Sequence, residues 1–103
     1  RTSTYLQDTV NTLGNIVENF KSGETYNIGG KDLHTIEELS EIIINVTGAD
    51  PSLANYKESE VLTTKTKVVD ISKSIEDLGH VNSVSLLDGI EMTAEWMRSN
   101  YNF

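Results

Sequence analysis

Few residues in this sequence could move a proton, attack an electrophile or hold a metal. The histidines are His34 and His80, and there is no cysteine. A nucleophile–base hydrolase sets a Ser or Cys beside a His held by a carboxylate, and a G-x-S-x-G elbow advertises one; the chain has no such elbow. His34 precedes a helical pattern and His80 follows one, so both read as turn or cap residues rather than catalytic bases. Without cysteine there is no thiolate nucleophile, disulfide framework or zinc-thiolate site. Neither an H-E-x-x-H helix nor a calcium-loop pattern occurs, and Glu37-Glu38-Glu41 and Glu76-Asp77 read as solvated charge.

Gly29-Gly30 lies between a strand pattern and a helix pattern, where backbone amides can cradle a phosphate. A dinucleotide fingerprint needs a third glycine at a set spacing, which is absent, and Asp32 adds negative charge. A tight turn is the expectation. Trp96 and Tyr101 are expected in a core or interface rather than in a stacking platform. Asn45-Val46-Thr47 matches a glycosylation acceptor in form but lies within a helical pattern.

The elements that would position these residues fit one domain over residues 1–103. Apolar residues make up 37% and charged residues 23%, a globular balance. A net charge of -8 disfavours a nucleic-acid backbone as partner. No run approaches the roughly 20 apolar residues of a membrane span. A cysteine-free chain without a secretory leader pattern points to the cytoplasm. The first residue is Arg1 rather than Met, and the next few already read as structured, so the chain is expected to begin inside a domain.

Ser3 to Leu6 reads as a short strand. Asp8 then reads as the N-cap of a helix whose Val10, Leu13, Ile16, Val17 and Phe20 form one stripe, ended by Ser22-Gly23. Glu24 to Ile28 reads as a strand, and Thr35 with Glu38 as a capping box. The helix it opens should bury Ile36, Leu39, Ile42, Ile43 and Val46, and stop at Gly48 and Pro51. Ser52 to Lys57 suggests a further strand, Glu58 to Lys67 a loop, and Val68-Val69 a brief strand. Asp70 should cap a short helix ending at Gly79. Ser85 and Asp88 should open a last helix burying Leu87, Ile90, Ala94, Met97 and Tyr101. The fold class is therefore α/β, a small lobe with short strands and about four helices.

In order along the chain stand Arg1-Thr-Ser-Thr-Tyr-Leu-Gln-Asp8, Glu24-Thr-Tyr-Asn-Ile-Gly-Gly30, Thr35-Ile-Glu-Glu-Leu39, Asp70-Ile-Ser-Lys73 with Leu78-Gly79, Val84-Ser-Leu-Leu-Asp-Gly89, and Glu95-Trp96. This succession resembles the C-terminal third of the nucleotide-sugar epimerases and dehydratases of the extended short-chain dehydrogenase/reductase family. The resemblance implies a lobe that packs on an N-terminal Rossmann domain and covers a nucleotide-diphosphate sugar. It also implies NAD bound by that other domain and a homodimeric parent enzyme. The family's catalytic Tyr-x-x-x-Lys pair has no counterpart, since Tyr5, Tyr26, Tyr56 and Tyr101 each lack a lysine four residues on. The lobe by itself would therefore be inactive.

By the same resemblance, Arg1 opens the family's R-x-x-x-Y-V-x-D stretch and would meet the substrate diphosphate, for which a guanidinium fork is suited. The family's second arginine is replaced by Glu60, leaving Lys65 or Lys67 to supply the charge. Asn27 would reach the interdomain cleft, and the Asp70-Ser72-Lys73 motif reads as structural. Glu60, the sparse cations and the negative charge support a rival reading, a non-enzymatic interaction module that keeps the scaffold.

Overall fold

A computed structural model describes residues 1–101. Helix α1 spans Leu6–Asn19, α2 Ile36–Thr47, α3 Ser72–Leu78 and α4 Leu86–Asn100, with a single 3-10 turn at Pro51–Leu53. The four helices match the expectation. The extended segments between them form no ladder: the β pairing among the described residues is one antiparallel bridge, Thr2 to Leu33. Two main-chain hydrogen bonds flank it, Arg1 N to His34 O at 2.7 Å and His34 N to Arg1 O at 2.8 Å. Ser52 to Lys57 begins with the 3-10 turn instead of a strand, because Pro51 fixes φ and the Asp50 carboxylate accepts from Ser52 N.

Local signals set most helix ends. Thr35 and Glu38 form the reciprocal capping box of α2, and Gly48 closes that helix in the left-handed conformation at φ 68°. Gly79 does the same for α3 at φ 61°. Ser85 Oγ accepts from Asp88 N at the start of α4. Asp70 accepts from Ser72 N beside α3, although Ile71 holds the N-cap position. The exception is α1. Its N-cap is Tyr5, which makes no side-chain cap, and Asp8 lies inside the first turn.

Packing departs further from the sequence pattern. Helices pair as α2 with α4 and α1 with α3, yet among the described residues the buried apolar side chains are Leu78 and Ala94. No residue of α2 is fully buried, and Ile36 and Ile43 are exposed. Along α4, Ile90 is half-buried while Leu87, Met97 and Tyr101 stay exposed. The molecule measures 50 × 38 × 19 Å, and its Cα radius of gyration of 16.5 Å exceeds the roughly 13 Å of a compact domain of this length. A slab 19 Å thick holds about two layers of helices of 10 Å each.

A polar cluster occupies the centre. Asp8, Thr12, His34, Ser74 and His80 are all buried. Asp8 accepts from Ser83 Oγ at 2.5 Å, Ser83 N at 3.1 Å and Val84 N at 3.2 Å, fixing the segment before α4 to α1. One turn on, Thr12 Oγ1 lies 2.7 Å from His80 Nδ1 and 2.9 Å from Asp8 O. His80 Nε2 lies 2.9 Å from Gly29 O. A carbonyl only accepts, so Nε2 donates to Gly29 O. The expectation that His80 is a turn or cap residue is corrected: its ring joins three separate segments. Asn15 Nδ2 adds a bond to Leu78 O at 2.9 Å, tying α1 to the end of α3.

The Ser83 hydroxyl, opposed by burial and assisted by the Val84 and Ser83 amides, holds the Asp8 carboxyl below its usual 3.8. A carboxyl lowered in the folded state releases its proton on folding, so stability rises with pH through that interval. The contribution of Asp8 is complete above pH 3.8, the unfolded value, and is lost as pH falls through the lower folded value. Asp8→Ala removes the acceptor of the Ser83 and Val84 amides, in part-buried bonds, and should cost about 2 kcal/mol in urea unfolding followed by circular dichroism. Asp8→Asn should flatten the acid limb of a stability–pH profile; an unchanged limb would assign the acid sensitivity elsewhere.

Candidate functional site

A surface concavity of about 450 Å³ is lined by Arg1, His34, Thr35, Glu38, Ser59 and the segment Thr63 to Thr66, with Leu33 and Ile36 as its apolar part. Three separate pieces of chain build it. The Thr2–Leu33 bridge sets Arg1 beside His34, the start of α2 supplies Thr35 and Glu38, and the loop from Glu58 to Lys67 closes the remaining side. A bond from Thr63 N to Glu60 O folds that loop back, with Leu62 at φ 76°.

Further supports reach in from the polar centre. His80 Nε2 holds Gly29 by its carbonyl, and Gly30 lies buried against the main chain of Ser3. Ser3 Oγ lies 3.1 Å from His34 Nε2. A chain of contacts thus runs from α1 through His80, Gly29-Gly30 and Ser3 to the cavity wall. The tight turn expected at Gly29-Gly30 is corrected here. Neither glycine has positive φ; Gly30 is required because a Cβ there would sit 1.8 Å from Ser3 O. That space is filled by the chain's own backbone, so these glycines do not fit the pyrophosphate of NAD.

Of the site residues drawn from the sequence, the structure brings Arg1 and Lys65 into one cavity. Lys67 is exposed and not on its wall. Asn27 is likewise elsewhere, its Nδ2 donating to Asp70 O at 3.3 Å. Arg1 Nη1 is buried and, among the described residues, has no hydrogen-bond partner, an uncommon state for a buried polar atom. The cavity also has an anionic group: the Thr35 amide and hydroxyl hold Glu38 below the usual carboxylate range, so it stays ionised in its capping box. His34 and Ser3 were missed as site neighbours because their contact joins positions 31 residues apart.

Other polar groups are engaged in structure. Lys21 pairs with Asp77 and Lys73 with Glu24, each at 2.5 Å across the surface, contacts of small energetic weight when solvated. Among the described residues no cluster of three or more His, Asp or Glu could hold a metal, and no helix is long and apolar enough to cross a membrane.

Sequence comparison supplies the family. The chain is similar to a dTDP-glucose 4,6-dehydratase of Actinoplanes sp., with 34% identity over 78% of this chain and 25% of the relative. A dTDP-glucose 4,6-dehydratase of Escherichia coli is 26% identical over 96% of this chain and 29% of its own length. GDP-L-fucose synthase 1 of Arabidopsis thaliana is 32% identical over 82% of this chain and 26% of its own length. The chain is a homologue of the nucleotide-sugar enzymes of the extended short-chain dehydrogenase/reductase family. It spans about a quarter of the length of these relatives. No family model matches, and no solved structure matches.

Gly30→Ala should lower stability by about 3 kcal/mol, because the added Cβ collides with backbone that cannot swing aside. Gly14→Ala, in mid-α1 with nothing within 4 Å of its added Cβ, should instead stabilise by up to about 1 kcal/mol. Urea unfolding midpoints of the two variants test this; equal effects would show that Gly30 is not held against Ser3.

Proposed function

We propose that this chain is the C-terminal, substrate-binding part of an NAD-dependent nucleotide-sugar epimerase or 4,6-dehydratase, holding the substrate diphosphate at the cavity of Arg1 and Lys65. Kinship to dehydratases and a fucose synthase supports the reaction class. The observation that carries the site is the buried, unpaired Arg1 Nη1 beside a cavity that also has Lys65 and the hydroxyls of Ser59, Thr63, Thr64 and Thr66 on its wall. A guanidinium with a free donor, a second cation and several hydroxyls suit phosphate oxygens. Lys65 takes the charge that Glu60 does not supply, and Lys67 and Asn27 are set aside.

The remaining chemistry belongs to a Rossmann domain that binds NAD, carries the Tyr-x-x-x-Lys pair and contributes the sheet of the α/β fold. The cofactor supplies hydride transfer to and from a sugar carbon. This chain's residues would grip the diphosphate and bury the sugar against that domain. The rival, a non-enzymatic interaction module, draws on Glu60 at the loop turn and on the large exposed apolar surface.

Ligand-observed NMR with UDP-, dTDP-, GDP- and CDP-sugars should show millimolar-range binding, since half the cleft is absent and the ordering cost remains. Arg1→Ala should abolish it. Tight binding that Arg1→Ala leaves unchanged would put the site elsewhere. The intact reading frame should encode a glycine-rich βαβ segment and a Tyr-x-x-x-Lys pair before Arg1; a frame with neither overturns the enzyme reading.

A further inference from the structure

A cavity that is to receive a diphosphate has a carboxylate in its wall. Among the described residues that line it, Arg1 and Lys65 bring positive charge, His34 brings its imidazole, and Glu38 brings the negative charge. The α-amino group of Arg1 is turned to His34 O. Glu38 is held at two points: its Oε2 accepts from Thr35 N at 2.7 Å, and its own amide donates to Thr35 Oγ1 at 3.0 Å. A solvated glutamate could swing away from an arriving anion, but one tied into a capping box stays where it is. The same bonds favour its ionised form.

The start of a helix ordinarily draws anions, because its amides point outward unpaired and form the positive end of the helix dipole. At α2 that attraction is already answered. The Thr35 amide belongs to a residue of the cavity wall, and it gives its hydrogen to Glu38. A phosphate oxygen reaching this side meets an occupied donor and a fixed negative charge. Arg1 Nη1, by contrast, is buried and without a hydrogen-bond partner among the described residues.

We infer that Glu38 biases this cavity toward a diphosphate esterified at both ends, as in a nucleotide sugar, and against the free nucleoside diphosphate. The inference rests on the diphosphate reading and sharpens its substrate class. Both phosphates of a nucleotide sugar are esterified, so each carries a single negative charge. The free diphosphate ends in an unesterified phosphate whose second proton leaves near pH 6, as in other phosphate monoesters, and its terminal oxygens have no sugar to keep them from the wall. Arg1 and Lys65 attract either ligand, and by themselves would favour the more highly charged one. The fixed carboxylate opposes that bias. Epimerisation and dehydration alter the sugar and leave both phosphate esters intact, so a free diphosphate in the cavity would only compete with substrate.

Glu38→Gln isolates the charge, because glutamine at this helix position also closes a capping box. Ligand-observed NMR on the 103-residue chain at slightly alkaline pH, with dTDP-glucose against dTDP and UDP-glucose against UDP, gives the ratio of affinities for each pair. Glu38→Gln should raise affinity for the free diphosphates about threefold more than for the nucleotide sugars, the size expected of a solvated charge interaction, with helical circular dichroism unchanged. Glu41→Gln removes the same charge one turn further along α2, off the cavity wall, and should leave the ratios as they were. Equal gains for both ligands, no gain, or the same shift from Glu41→Gln overturns the inference. If Arg1→Ala still abolishes binding in that event, the diphosphate reading stands without it. Binding of none of these ligands by the unaltered chain and by Glu38→Gln overturns both.

Discussion

The Asp8 carboxylate, bonded three times to Ser83 and Val84, joins the first helix to the entry of the last. One turn along α1, Thr12 meets His80, and His80 reaches Gly29. Three segments separated widely in sequence are fixed by one column of polar contacts. Hydrogen bonds of this kind contribute little net free energy while paired and cost heavily when one partner is removed. They specify where segments lie more than they stabilise the whole. The cavity wall inherits its position from them through Gly30, Ser3 and His34.

Such a centre leaves the apolar side chains to face outward. With Leu78 and Ala94 as the buried apolar side chains among the described residues, the slab has little of the apolar burial that normally offsets chain entropy. Helix α1 states this most directly: its polar face is used inside the molecule, so its apolar face has only external surfaces to meet. The α2 residues Ile36 and Ile43, exposed beside a groove that also includes Leu53, extend the same pattern.

The cavity fits this view. In a strongly acidic chain, Arg1 and Lys65 meet at one concavity, while Lys21 and Lys73 are engaged with Asp77 and Glu24. Glu38, fixed by its capping bonds, limits how much negative charge the cavity can take. A diphosphate would be gripped at one end of its length, leaving the sugar to be enclosed by a second surface.

The sequence determined what local chemistry decides. The Thr35–Glu38 capping box, the left-handed Gly48 and Gly79 ends, the Ser85–Asp88 start and the loop from Glu58 to Lys67 follow from residues within one turn of each other. The ordered segments from Arg1 to Trp96 also carried the family. Only tertiary structure decided the rest. Asp8 looks like a cap and His80 like a turn residue until their partners, more than 50 positions away, are in place. Gly30 suggests a turn but answers to the backbone of Ser3. The stripe on α1 has the same periodicity whether it faces inward or outward. An amphipathic pattern fixes which residues share a face, and only the long-range bonds of Asp8, Thr12 and Asn15 determine that the polar face turns inward.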